Sequence, residues 1–222
     1  MRSNQAVRPL KVSVLFVVRA CTASFPLRRN NSVSSCSWPR GNPLMVRYHD
    51  REWGKPVKND RKIFEFLVLE SAQAGLSWLT ILKKRDGYRK TFANFEPRLV
   101  ARFGVRDIEK LMKNQDIVRN RLKIEAAINN AKKFLEVQKE FGTFSQYMWN
   151  FVKNKPMDGK RKNLEDLPAF NKESIALARD LKKRGFKFLG PTIVYAHMQA
   201  IGMINDHVRP CFHYKELKNL VE

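Results

Sequence analysis

IFEFLVLESAQAGLSW, residues 63–78, sets the pattern for the rest of the chain. On a helix of 3.6 residues per turn, Ile63, Phe66, Leu67, Glu70 and Ala74 share one stripe. Four are apolar and the fifth is a carboxylate, which is costly to bury ionised without a partner or an incoming cation. Gly75 then supplies a helix stop, and Ser77 an N-cap for a second helix that begins with Trp78. A buried acid and an aromatic ring are thereby delivered to either side of a tight corner. Taken on this stretch alone, a structural glutamate salt-bridged to one of the many Arg or Lys side chains is the commoner outcome.

Helical signals continue from Asp60 onward. Asp60 is placed to cap the Glu70 helix, Ser77–Arg85 forms the next one, and Asp107 starts a short one through Ile108, Leu111 and Met112. Ile124, Ala127, Ile128, Ala131 and Leu135 make an i, i+3, i+4 stripe that stops before Gly142. Thr143 and Gln146 read as a capping box ahead of residues 144–152. Residues 153–168 read as a polar loop bounded by prolines, and Ser174–Arg184 as a helix closed by Gly185. No alternating strand pattern and no internal repeat emerges, so the expected fold class is all-α.

Charge narrows the partners. The 222 residues carry 43 basic against 21 acidic side chains, a formal charge of +22. Such a surface fits a polyanion, most often nucleic acid, with salt-sensitive binding. An apolar content of 43% describes a folded protein rather than a disordered one. No run approaches the roughly 18 apolar residues of a membrane span, so no membrane partner is expected. Cys21, Cys36 and Cys211 are too few for a disulfide framework and fit a reducing compartment.

Residues 1–35 hold six basic side chains, several serines and no acid; the first acidic residue is Asp50. They read as a transit-like extension or an upstream start, apart from a body spanning 36–222 that still carries +16. Localisation is therefore expected to be cytoplasmic in a bacterium, and mitochondrial, plastid or nuclear in a eukaryote.

Two further stretches carry chemistry. In Leu181–Thr192, Gly185 closes a helix, Gly190 permits an unusual backbone angle, and Pro191 suits the first turn of the next helix. The helix–hairpin–helix so formed presents backbone N–H groups able to bind phosphate, surrounded by Lys182, Lys183, Arg184 and Lys187. A basic solvated turn is the plainer alternative. Separately, His207 and Cys211 stand four apart, as on one face of a helical turn, and Cys36 and His49 precede the core helices. Each pair alone fits coincidence; if the two pairs meet, they supply two thiolates and two imidazoles, the closed tetrahedral set of one structural zinc joining the domain's two ends. His197, His213 and Cys21 are lower-ranked candidates.

These pieces together resemble the DNA-3-methyladenine glycosylase I family of the helix-hairpin-helix DNA glycosylases. The resemblance rests on CSW (36–38), YHDREWG (48–54), LESAQAGLSW (69–78), IVRNRLKI (117–124), LKKRGFKFLGPT (181–192) and MQAIGMINDH (198–207). It implies hydrolysis of the N-glycosidic bond of 3-methyladenine in double-stranded alkylated DNA, by a monomer without a strand-cleaving step. It further implies that Glu70 contacts the damaged base, that Tyr48 and Trp78 stack on it, and that Trp38 and Trp53 lie near the pocket. Leu76 would probe the opened duplex, and Lys187, Gly190 and Thr192 would meet the backbone. By the same resemblance Cys36, His49, His207 and Cys211 bind zinc.

Two departures stand out. Asn205 occupies the position where many helix-hairpin-helix glycosylases carry a catalytic Asp, in keeping with glycosylase I. Met45 stands where the family commonly has tyrosine, which bears on rate and base preference. The competing readings are a zinc-stabilised DNA-binding protein without activity, and a glycosylase of broader alkyl-base range.

Overall fold

The computed structural model describes residues 35–39 and 41–219. Residues 1–34 of the expected N-terminal extension, Cys21 among them, lie outside the described residues.

Burial of α2 (Asp60–Gln73) organises the molecule. All ten residues from Ile63 to Ala72 are buried, a helix covered on every side rather than along one stripe. It packs against α3 (Trp78–Thr91), α6 (Arg121–Phe141), α7 (Phe144–Asn150) and α9 (Pro191–Ala200). The aromatic rings fill the spaces between them. Phe134 stacks on Phe144 with centroids 3.9 Å apart and meets Phe64 at 5.3 Å. Each such buried ring contributes about 1.5–3 kcal/mol of hydrophobic stabilisation.

The remaining helices are α1 (Pro43–Arg51), α4 (Pro97–Val100), α5 (Val105–Lys113), α8 (Lys172–Lys183) and α10 (Phe212–Lys218). None among the described residues is long and apolar enough to cross a membrane. Local chemistry explains several boundaries as expected. Ser77 accepts from the Thr80 N–H, Thr143 and Gln146 form a reciprocal capping box, and Gly142 and Gly185 close their helices at positive φ.

Other boundaries differ from expectation. Asn59, not Asp60, caps α2. The Asp60 carboxylate instead accepts from the Phe144 and Ser145 N–H groups, both at 2.8 Å, and so covers the start of α7 from another helix. Gly104 precedes α5, with Asp107 at its third position accepting from the Gly104 N–H. The helix after Ser77 runs to Thr91 rather than Arg85. Gly87 is required there, because a side chain would strike the Asp116 backbone.

The all-α expectation needs one amendment. The fold is mostly helical, but Met157–Asp158 (β1) and Ile204–Asn205 (β2) form a short parallel pair. Two residues are too few to write a period-two pattern. This pair fastens the long 153–168 connection to the segment after α9, through Met157 N–H to Met203 O and Gly159 N–H to Asn205 O.

Candidate active site and metal centre

The corner after α2 gathers the aromatic and acidic residues. Asn42 accepts from the Leu44 and Met45 N–H groups, and Pro43 opens α1, which carries Tyr48 and His49 inward. Tyr48 and Trp78 face each other with ring centroids 5.2 Å apart at 51°. Phe66 lies 6.3 Å from Tyr48, and Trp38 contacts both Tyr48 and Trp53 edge-on at 6.3 and 5.2 Å. Trp78 is buried, and its indole N–H has no hydrogen-bond partner among the described residues.

Glu70 is 5% exposed, and its carboxyl makes no hydrogen bond or ion pair among the described residues. Burial pushes its carboxyl up to about 8, so the free protein holds it largely protonated near neutral pH. Burial, followed by the Glu70 charge, also drives the Tyr48 hydroxyl well above its ordinary value. The acid and the facing rings therefore share one electrostatic environment.

The corner itself is clamped. Gly75 adopts φ +79°, and the half-buried Lys123 ammonium donates to the carbonyls of Ala72 at 2.9 Å and Ala74 at 2.6 Å. Its positive charge complements the C-terminal end of α2. Leu76 is partly buried at this corner, its N–H bonded to Gln73 O.

The helices α8 and α9 pack together, joined by residues 184–190. Lys187 and Gly190 are exposed, and Thr192 is half-buried in the first turn of α9. Gly190 departs from expectation with an ordinary φ of −72°; the left-handed residue is Phe188, at φ +56°. The fully buried Asn130 side chain explains how that conformation is held. Its Oδ1 accepts from Lys187 N–H at 2.8 Å and its Nδ2 donates to Lys187 O at 2.9 Å, while Asn129 donates to Gly185 O.

Asn205 lies in β2 and donates to Tyr214 O at 3.1 Å. Its neighbour Asp206 is buried and fully engaged, accepting from Tyr195 Oη at 2.5 Å, Gln199 Nε2 at 2.8 Å and Arg161 Nε at 2.8 Å. Asp206 is committed to structure, while the Asn205 Oδ1 is buried with no hydrogen-bond partner among the described residues. The C-terminal strand therefore offers no free carboxylate of its own.

Cys36, His49, His207 and Cys211 do meet. All four are buried, and their ligand atoms lie within 4.8 Å of one another, a group that could hold a metal ion. Cys211 Sγ lies 3.4 Å from His207 Nδ1 and 3.6 Å from His49 Nε2; Cys36 Sγ is 3.7 Å from His207 Nδ1. The expected helical turn between His207 and Cys211 is absent. A tight turn with Cys211 N–H bonded to Val208 O brings them together, and Cys211 stands at the head of α10. Gly54 makes room, since a side chain there would approach His207 Nε2 to 2.8 Å. Outer contacts orient the imidazoles: Asp50 Oδ1 lies 2.7 Å from His49 Nδ1, and Trp53 O 3.3 Å from His207 Nε2.

The lower-ranked histidines separate here. His197 is buried in α9, and burial outweighs the nearby Phe66 backbone in holding it at about 3, neutral. His213 borders the quartet but pairs with Glu216 at 2.6 Å.

One cluster escaped the sequence reading. Arg85 donates to both Glu52 oxygens at 2.8 and 2.7 Å and to Glu65 at 2.7 Å. Lys62 joins both acids, and Arg89 joins Glu65. Glu65 sits inside the apolar run as anomalously as Glu70 does, and that was the signal available.

Known proteins match this geometry and sequence. The methyladenine glycosylase family pattern covers residues 38–214. DNA-3-methyladenine glycosylase 1 of Escherichia coli is 44% identical over 179 residues, which are 81% of this chain and 96% of that protein. A DNA-3-methyladenine glycosylase of Haemophilus influenzae is 43% identical over 176 residues, 79% and 95% of the two chains. A crystal structure of 3-methyladenine DNA glycosylase I is similar with a TM-score of 0.79 at 45% identity, covering 81% of this chain and 98% of that one. The Staphylococcus aureus protein, from a structure concerned with 3-methyladenine recognition, gives 0.78 at 38% identity, covering 81% and 96%. The chain belongs to the methyladenine glycosylase family and is a glycosylase.

Proposed function

We propose that this protein excises 3-methyladenine from double-stranded alkylated DNA by hydrolysing the N-glycosidic bond, acting as a monomer and without a lyase step. The observation that carries this reading is Glu70, buried and unpaired beside the Tyr48–Trp78 ring pair. A base must leave the helical stack to be reached, and an alkylated base is cheaper to extrude. In DNA, 3-methyladenine is cationic. A cation stacked on electron-rich rings and next to a carboxylic acid draws the acid into its ionised form, and adenine, being neutral, does not.

The reaction asks little more of the protein. The glycosidic bond breaks with its electron pair passing to the base, which departs as neutral 3-methyladenine. Ionised Glu70 favours the cationic ground state and the oxocarbenium-like sugar that follows. Water adds to the sugar carbon and loses a proton, leaving an abasic site. Tyr48 and Trp78 hold the base, with Trp38 backing Tyr48 and Trp53 backing Trp38, and Leu76 enters the gap at the corner. Lys187, Gly190 and Thr192 in the helix-hairpin-helix motif meet the DNA backbone, and the clamp from Asn130 supports their fixed geometry. Release of 3-methyladenine from methylated duplex DNA, followed by chromatography, tests the reading. Wild type should release it and Glu70→Gln should be slower by at least about a hundredfold; equal, poor release by both contradicts it.

The domain is 36–222, and its metal is one structural zinc. Zinc–sulfur and zinc–nitrogen bonds of ~2.3 and ~2.0–2.1 Å at tetrahedral angles put sulfur and nitrogen about 3.6 Å apart, in line with the 3.4–3.7 Å found here. Four protein ligands leave no open position, so the metal ties the chain ahead of α1 to the start of α10 and takes no part in the chemistry. Elemental analysis of untagged protein should find about one zinc per chain, lost in Cys211→Ala and retained in Cys21→Ala. Metal-free wild type would contradict the assignment. Met45, buried one turn before Tyr48, supports testing a wider base range by competition between 3-methyladenine and 7-methylguanine.

A further inference from the structure

We infer that Arg85 is a positioning residue for the base pocket, setting the spacing of the Tyr48 and Trp78 rings through a buried ion-pair hub. The inference rests on the pocket reading above. Arg85 follows Trp78 by seven residues, two turns along the same face of α3, and Glu52 follows Tyr48 by four at the end of α1. The contact between α1 and α3 therefore has two rungs. One is the ring pair at 5.2 Å, and the other is the two-point contact of Arg85 with Glu52 at 2.8 and 2.7 Å. The Nε of the same guanidinium donates to Glu65 on α2 at 2.7 Å. One planar group thus joins the three helices that carry Tyr48, Glu70 and Trp78. Phe66 fills the space between the rungs, 6.3 Å from Tyr48 and 5.5 Å from the guanidinium carbon.

Burial separates this hub from an ordinary surface ion pair. The Arg85 and Glu65 side chains are only 8% and 7% exposed, so water and salt screen little of the interaction. A planar fork fixes direction as well as distance; lysine would preserve the charge and lose the two-point geometry. Lys62 and Arg89 complete the pairing. The hub therefore acts on ring spacing through geometry, and on the base only through the rings.

The test compares Arg85→Lys with Val137→Ala, a core truncation near the far end of α6 from Lys123. Two quantities are read in the full chain: affinity for free 3-methyladenine by tryptophan fluorescence, and ring spacing in ligand-free crystals. Arg85→Lys should bind the base about tenfold more weakly, as expected for misplaced contact groups, with a Tyr48–Trp78 distance changed from 5.2 Å. Val137→Ala should lose stability and keep both quantities. Should Arg85→Lys fail to fold, Glu52→Gln, at the more exposed side of the hub, provides the same reading. Wild-type affinity and spacing in the folded hub variant would overturn the inference, as would equal weakening in Val137→Ala. A wild type that binds no 3-methyladenine would refute the pocket reading alone, because the spacing is measured without ligand.

Discussion

Glu65 and Glu70 stand five positions apart on α2, and both are buried, at 6% and 5% exposure. Around Glu65 stand Arg85, Arg89 and Lys62, all within 2.9 Å. Burial alone would raise its carboxyl, but these cations outweigh it and hold Glu65 below the ordinary carboxylate range. Arg85 and Lys62 act on Glu52 as well, which is held at about 2 against its own burial. Around Glu70 there is no cation among the described residues, and burial raises its carboxyl to about 8. One end of the helix is a closed electrostatic system. The other is left open toward a positive charge that the protein does not itself supply.

The contrast separates structural from functional acids by what each lacks. Removing Glu65 strands buried cations, whereas removing the Glu70 charge relieves an unfavourable burial. By urea denaturation at pH 8.5, Glu65→Gln should lose on the order of 3–5 kcal/mol, and Glu70→Gln should match or exceed wild-type stability. Equal losses in the two variants would break the contrast.

An effect of similar size follows from pH. Below about 4.5, Glu70 is protonated in both folded and unfolded chains and has no effect on the balance. Between 4.5 and about 8 the unfolded chain ionises while the folded one keeps its proton. Stability therefore falls as pH rises through that window, by on the order of 4–5 kcal/mol. The difference between wild type and Glu70→Gln, measured by denaturation across pH 4–9, should trace this fall; a flat difference would place a partner beside Glu70.

Much of the scaffold was legible in the sequence because helix ends are written locally. Ser77, Gly142, the Thr143–Gln146 box and Gly185 all act within a turn of where they stand. The reading failed where partners are distant. Asp60 caps a helix that starts 84 residues later, and Arg85 answers acids 20 and 33 residues before it. The β1–β2 pairing joins segments that show no strand pattern of their own. Cys36 and Cys211 carried the right chemistry in sequence, but only the fold brings them to one point with His49 and His207. Glu70 was singled out correctly as a core-facing acid. That it is unpaired, while Glu65 is not, depends on where three other helices place their cations.

The most direct test is the titration of the Glu70 carboxyl by carbon-13 NMR, with and without 3,9-dimethyladenine, a base-like cation at neutral pH that cannot be cleaved. The free protein should titrate at about 8, and the cation should bring the carboxyl down into the ordinary range, with its affinity rising as pH approaches 8. A Glu70 carboxyl that already titrates near 4.5 in the free protein, and does not respond to the cation, would contradict the account.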